Sequence, residues 1–155
     1  MKLRIVALGH RMPAWVAAGY GEYAKRLPRE YELELLELKP AARDADKTAA
    51  QLLAAEALRI RAACMNFTTV ALDERGAAWT TRQLAQRLAR WRELAQDLAF
   101  VIGSADGLDE SVKRDAAAVF ALSALTLPHG LARIILAEQL YRSASILGGH
   151  PYHRD

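Results

Sequence analysis

Leu98-Ala-Phe-Val-Ile102 is an unbroken apolar run, closed by Asp97 on one side and Gly103 on the other. A strand of this composition has no face suited to water. Both faces must be covered, which is the situation of a strand inside a parallel sheet with helices above and below. The rest of the chain supplies that cover. Strand-like runs at Leu3–Leu8, Tyr31–Leu38, Thr68–Leu72 and Val119–Leu122 alternate with segments of helical period, the order of an α/β domain whose sheet is mostly parallel and flanked by helices. Glu32-Leu-Glu-Leu alternates in period two and reads as an edge strand.

The helical stripes follow from spacing. Val16, Tyr20, Tyr23 and Leu27 form one, Leu53, Ala57, Ile60 and Cys64 a second, and Leu84, Leu88, Trp91 and Ala95 a third. Pro13 suits a first helical turn, and Thr80 with Gln83 has capping-box spacing. The segment from Leu131 to Leu147 differs, because its apolar residues leave hardly any wholly polar side. A helix of that kind needs cover on two sides, so the spacing predicts that it also builds a two-fold homodimer. Pro40 to Asp46 reads as a flexible loop.

At 155 residues and 52% hydrophobic content, the chain is expected to form a single domain, residues 1 to 155, around one core. No stretch is long and apolar enough for a membrane span and no signal peptide is evident, so a cytoplasmic location is expected. The lone Cys64 on an apolar stripe reads as a core residue, and it excludes both an internal disulfide and a thiolate metal site. A formal net charge of +3 leans only mildly toward polyanions.

Ligands of open α/β sheets sit beyond the carboxyl ends of strands. Three such ends are unusual here: Leu72-Asp-Glu-Arg-Gly76, Ile102-Gly-Ser-Ala-Asp-Gly107 and Leu122-Ser-Ala-Leu-Thr-Leu-Pro-His129. Glycines permit close backbone approach, Ser123 and Thr126 add hydroxyls, and Leu125 and Leu127 offer apolar walls to an aromatic ring. Such a pocket suits a neutral purine nucleoside better than a polyphosphate. No Walker A loop occurs, Gly9-His-Arg-Met lacks dinucleotide spacing, and no Gly-x-Ser-x-Gly elbow is present. Glycine turns of this kind also serve as plain structural punctuation.

The second constellation is the tail. Arg142, His150, Pro151, Tyr152, His153 and Arg154 place phosphate-binding charges, stacking rings and imidazoles within a dozen residues, as suits a nucleotide held outside its helix. A frayed basic terminus is the plain alternative. Glu138 and Arg142 stand four apart in the order that favours an ordinary ion pair. The His150-x-x-His153 spacing lacks the thiols or helix that would organise a metal, and no metal is expected.

Taken together, the three strand ends and the tail resemble the ribosomal RNA large subunit methyltransferase H family of the SPOUT class, over nearly the whole chain. The resemblance implies a deep trefoil knot threaded by about Leu98 to Gly130, an exception to the rule against knotted chains. It implies an S-adenosylmethionine pocket at Leu72, Gly103 and Leu122, Ser123, Ala124, Leu125, Thr126 and Leu127. It implies methylation of N3 of a pseudouridine in large-subunit (23S) ribosomal RNA, on the assembled ribosome. Arg142 and His153 are then the candidate catalytic residues, with Tyr152 and Arg154 joining them on the RNA. Ser104 stands where the family has glycine. A positive φ at that position would strain it and weaken cofactor binding; otherwise the change is benign. A non-catalytic RNA-binding module of the same fold is the competing reading.

Overall fold

The computed structural model describes residues 1–154. In chain order its elements are β1 (Lys2–Leu8), α1 (Ala14–Ala24), β2 (Glu32–Leu38), α2 (Ala49–Ala63), β3 (Thr68–Ala78), α3 (Thr81–Glu93), β4 (Leu98–Ile102), α4 (Glu110–Asp115), β5 (Ala118–Ala121) and α5 (His129–Leu147). The strands form one sheet in the order β2-β1-β4-β3-β5, with every pairing parallel. β4 lies at the centre with all of its residues buried, as its uninterrupted apolar run requires. β2 lies at the edge, its glutamates exposed and none of its residues fully buried.

Alternation along each strand sorts side chains between two layers. Leu3, Ile5 and Ala7 of β1 join Phe100, Leu88, Leu136 and Leu140 on the side of α1, α3 and α5. Val6 and Leu8 point the other way, into Ala57, Ile60, Cys64 and Val112 of α2 and α4. Cys64 is buried there and burial pushes its thiol pKa up, so it stays a protonated core residue.

Local signals set most helix ends. Thr80 and Gln83 form the capping box expected, and Thr48 with Gln51 forms another. Pro13 sits one residue earlier than expected, at the N-cap of α1. The third stripe stops at Trp91: α3 ends at Glu93, and Ala95 is exposed at φ 53 in the turn beyond it. α4 spans a single turn and a half, too short to print a hydrophobic period, and is started by the Asp109 carboxylate accepting from the Ser111 amide. α5 starts at His129, two residues before its apolar run. Its inner face is fully buried, while Ile134, Ile135, Ile146 and Leu147 are only half-buried and Leu131 is exposed. Among the described residues no helix is long and apolar enough to cross a membrane.

Candidate functional site

A cleft of about 1000 Å³ opens beyond the carboxyl ends of β4 and β5 and at an irregularity inside β3, the upper end of the range for small-molecule sites. β3 does not end at Leu72 as its sequence suggested but runs on to Ala78, its pairing with β5 skipping from Leu72 to Ala77. Leu72, Ile102, Leu122, Leu125 and Leu127 give the cleft apolar walls, and Gly103, Ser123 and Thr126 line it as well. Ala124 does not; it is exposed. The loop carrying Ser123 is set by one local hydrogen bond, the Leu125 amide donating to Ser123 Oγ at 2.9 Å, and one remote one, Thr126 Oγ1 donating to Glu74 Oε2 at 3.2 Å.

Gly103 is glycine for lack of room. A Cβ there would lie 2.4 Å from the Gly107 carbonyl oxygen, because the turn folds back on itself through the Gly107 amide and the Ser104 carbonyl at 2.9 Å. Among the described residues, the non-glycine residues with positive φ are Arg11, Asn66 and Ala95. Ser104 is therefore unstrained, and its hydroxyl donates to Glu56 Oε2 at 2.9 Å. Its replacement of the expected glycine is benign for the backbone.

The cleft is rich in carboxylates. Glu56, Asp73, Glu74, Asp106, Asp109 and Glu110 line it against the cations Arg43, Arg75 and Lys113. Asp73 is raised by burial, but the Arg75 amide and the Lys113 ammonium at 3.1 Å outweigh that and hold it below the ordinary carboxylate range. Such a lining accepts a ligand carrying positive charge and disfavours a polyphosphate.

His129 closes the floor. Its Nδ1 donates to the Gly103 carbonyl at 3.0 Å, tying the start of α5 to the turn after β4. Burial, and then the nearby Arg133 charge, push its pKa below the ordinary value of 6.5. The unfolded chain therefore binds the extra proton, so the stability owed to neutral His129 is present above about pH 6.5 and lost below it. Urea midpoints should fall less steeply between about pH 7 and about pH 5 in His129→Ala than in the unaltered protein. Parallel curves would remove His129 as a source of acid sensitivity.

The tail is built differently. Gly149 closes α5 in the left-handed region at φ 67, with the His150 amide donating to the Ser145 carbonyl at 2.9 Å, a Schellman-type ending that turns the chain back. Tyr152 then returns to α5. Its hydroxyl donates to Glu138 Oε1 at 3.1 Å, its ring lies 4.5 Å from that of Tyr141, and the Arg142 guanidinium stands 4.6 Å above it. Arg142 Nε also donates to Glu138 Oε1 at 2.8 Å, so the ion pair read from the spacing exists. Burial, reinforced by Glu138, pushes the Tyr152 phenol up, and the Glu138 hydrogen bond pushes Arg142 up as well. His153 is half-buried and Arg154 exposed. Among the described residues, no group of three or more His, Cys, Asp or Glu side chains is arranged to hold a metal ion.

Within one chain, cleft and tail stand apart. No residue beyond Ala132 lines the cleft. His129 and Arg142 are 13 positions apart on α5, roughly 20 Å along the helix axis at about 1.5 Å per residue.

Sequence reasoning missed Glu56, which is 3% exposed. The signal was present: Leu52, Glu56 and Ile60 recur every four residues, so the carboxylate lies on an apolar stripe.

Residues 1–153 match the family model described as "Predicted SPOUT methyltransferase". Two proteins named ribosomal RNA large subunit methyltransferase H are similar along their whole length. The one from Nitrosospira multiformis is 57% identical and that from Burkholderia thailandensis 56% identical, each comparison covering 99% of both chains. With an all-parallel sheet, a cleft beside its carboxyl edge and these full-length matches, the chain belongs to the ribosomal RNA large subunit methyltransferase H family of SPOUT methyltransferases.

Proposed function

We propose that this protein is an S-adenosylmethionine-dependent methyltransferase of N3 of a pseudouridine in large-subunit (23S) ribosomal RNA, working in the cytoplasm on the assembled ribosome. The observation that carries this reading is the apolar, carboxylate-rich cleft around Gly103, in a chain more than half identical to proteins named for that RNA. The residues fit the cofactor. Leu72, Leu125 and Leu127 offer walls to an adenine ring, the backbone at Gly103 can approach a ligand without a Cβ between, and the carboxylates suit a cation. Ser123 and Thr126, with backbone groups of the 122–127 loop, supply polar contacts. The trefoil knot implied for residues 98–130 belongs to the same reading.

The bound cofactor supplies a methyl group already activated on sulfonium. The protein's task is the nucleophile. N3 of pseudouridine lies between two carbonyls and attacks poorly until its proton leaves. Arg142 favours that anion by opposite charge and His153 by hydrogen bonding, Tyr152 stacks on the extruded base, and Arg154 holds phosphate.

Arg142 stands roughly 20 Å along α5 from His129, Tyr152 is packed on it, and neither lines the cleft of its own chain. A two-fold dimer solves this, with each tail facing the partner's cofactor. The half-buried Ile134 and Ile135 and the exposed Leu131 of α5, beside the exposed Trp15 of α1, offer the apolar surface for such a pairing.

Arg142→Ala and His153→Ala should each lower methylation of unmodified ribosomes by about 100-fold, with cofactor affinity held within about twofold. Mixing either variant with a cleft-dead variant should restore part of the activity. Normal turnover in both single variants would refute the tail's role. The competing reading, a non-catalytic RNA-binding module, drew its support from Ser104, and that residue is unstrained.

A further inference from the structure

We infer that Glu56 is a positioning residue of the cofactor site, tying the segment after β2 to the turn after β4 through Ala41 and Ser104. The inference rests on the cofactor reading of the cleft.

Glu56 lies on the inner face of α2, 3% exposed. A carboxylate so buried needs compensation, and no cationic side chain pairs with it among the described residues. Two hydrogen bonds replace the cation. Oε1 accepts from the Ala41 amide at 2.9 Å, and Oε2 accepts from the Ser104 hydroxyl at 2.9 Å. Both carboxylate oxygens are thereby hydrogen-bonded, which offsets the cost of burying them. Ala41 and Ser104 belong to separate segments that line the same cleft, so one carboxylate fixes the distance between two of its walls.

A displaced wall would be felt at the ligand. Ser104 follows Gly103 directly, and the Gly103 Cβ position already sits against the Gly107 carbonyl, leaving the turn no slack. The Gly103 carbonyl in turn receives His129 at the head of α5. Loosening Ser104 therefore disturbs both the floor and the wall. A second link spans the same gap, Arg43 to Asp106 at 2.7 Å, but the arginine side chain is 65% exposed, and exposed ion pairs hold little. The anchoring thus falls to Glu56. Ser104 makes half of the tether.

Glu56→Gln keeps the tether, since the amide oxygen can accept from Ala41 while its NH2 donates to Ser104 Oγ. Calorimetry with S-adenosylmethionine should give a Kd raised about tenfold in Glu56→Ala, about threefold in Ser104→Gly, and near the original in Glu56→Gln. The Glu56→Ala/Ser104→Gly pair should bind no worse than Glu56→Ala alone, because both changes cut the same bond. Hydrogen exchange on the ligand-free protein supplies a readout independent of the cofactor: the Ala41 and Gly107 amides should exchange faster in Glu56→Ala and at the original rate in Glu56→Gln. Unchanged affinity in Glu56→Ala, or a Gln variant as weak as Ala, would overturn the inference. Should Glu56→Ala fail to fold, unchanged affinity in Ser104→Gly overturns it equally. If the unaltered protein binds no S-adenosylmethionine yet the exchange pattern appears, the cofactor reading falls and the tether stands.

Discussion

Gly103→Ala should abolish measurable S-adenosylmethionine binding, raising Kd by at least about 100-fold in calorimetry while the protein remains folded. The new methyl would have to sit 2.4 Å from the Gly107 carbonyl oxygen, 2.6 Å from its carbon and 3.0 Å from Leu108 Cγ. Two of those atoms are backbone, so no rotamer change relieves the clash and the turn itself must open. Overpacking of this kind costs about 1–3 kcal/mol. The affinity loss should be larger, because the opened turn is the cleft's own wall. Gly107→Ala is the control. Its Cβ would meet nothing within 4 Å, and its only penalty is the positive φ of 87. A Gly103→Ala variant that bound cofactor normally would exclude this turn from the site.

Arg133→Ala should destabilise the fold by about 3–5 kcal/mol, read as a lowered urea midpoint at unchanged slope. Arg133 is 1% exposed, the largest fully buried side chain in the protein. Its guanidinium donates to the Gly9 carbonyl at 2.9 Å and to the Glu37 carboxylate, stitching α5 to the segment just after β1 and to β2. Truncation leaves a buried carbonyl without its donor and a cavity the size of the side chain. Glu37 is 42% exposed and can return to water, which favours the lower end of the range. Loss of under about 1 kcal/mol would mean that neighbouring groups re-pair, and that this buried charge is no structural pin.

Several features were legible without any structure, and they share a character. The central placement of Leu98–Ile102, the edge placement of Glu32–Leu38 and the capping box of Thr80 and Gln83 all rest on residues within a few positions of one another. The ends of β4 and β5 were legible for the same reason, since glycines and small hydroxyls crowd into short runs, whereas Leu72–Gly76 read as an end and is an irregularity within β3. Where local pattern was thin, boundaries slipped. α4 is too short to display a period, and Ala95 continued a stripe by spacing although the chain had already turned left-handed there.

Spacing could reveal that an arginine sits within α5 and a glutamate on the face of α2, and nothing about their partners. Arg133 meets Gly9 across 124 positions and Glu37 across 96; Glu56 meets Ser104 across 48. The separation of cleft and tail was equally hidden, because it depends on where along α5 each group packs.

The amino-acid order alone therefore decided the layers and the parallel sheet, because hydrophobic period and turn chemistry are properties of neighbours along the chain. The tertiary structure alone decided that Glu56 and Arg133 are buried, that Ser104 is unstrained, and that the tail packs back on α5 around Glu138 and Arg142, apart from its own cleft. Those outcomes depend on distances between segments remote in sequence, and a local pattern holds no record of such distances.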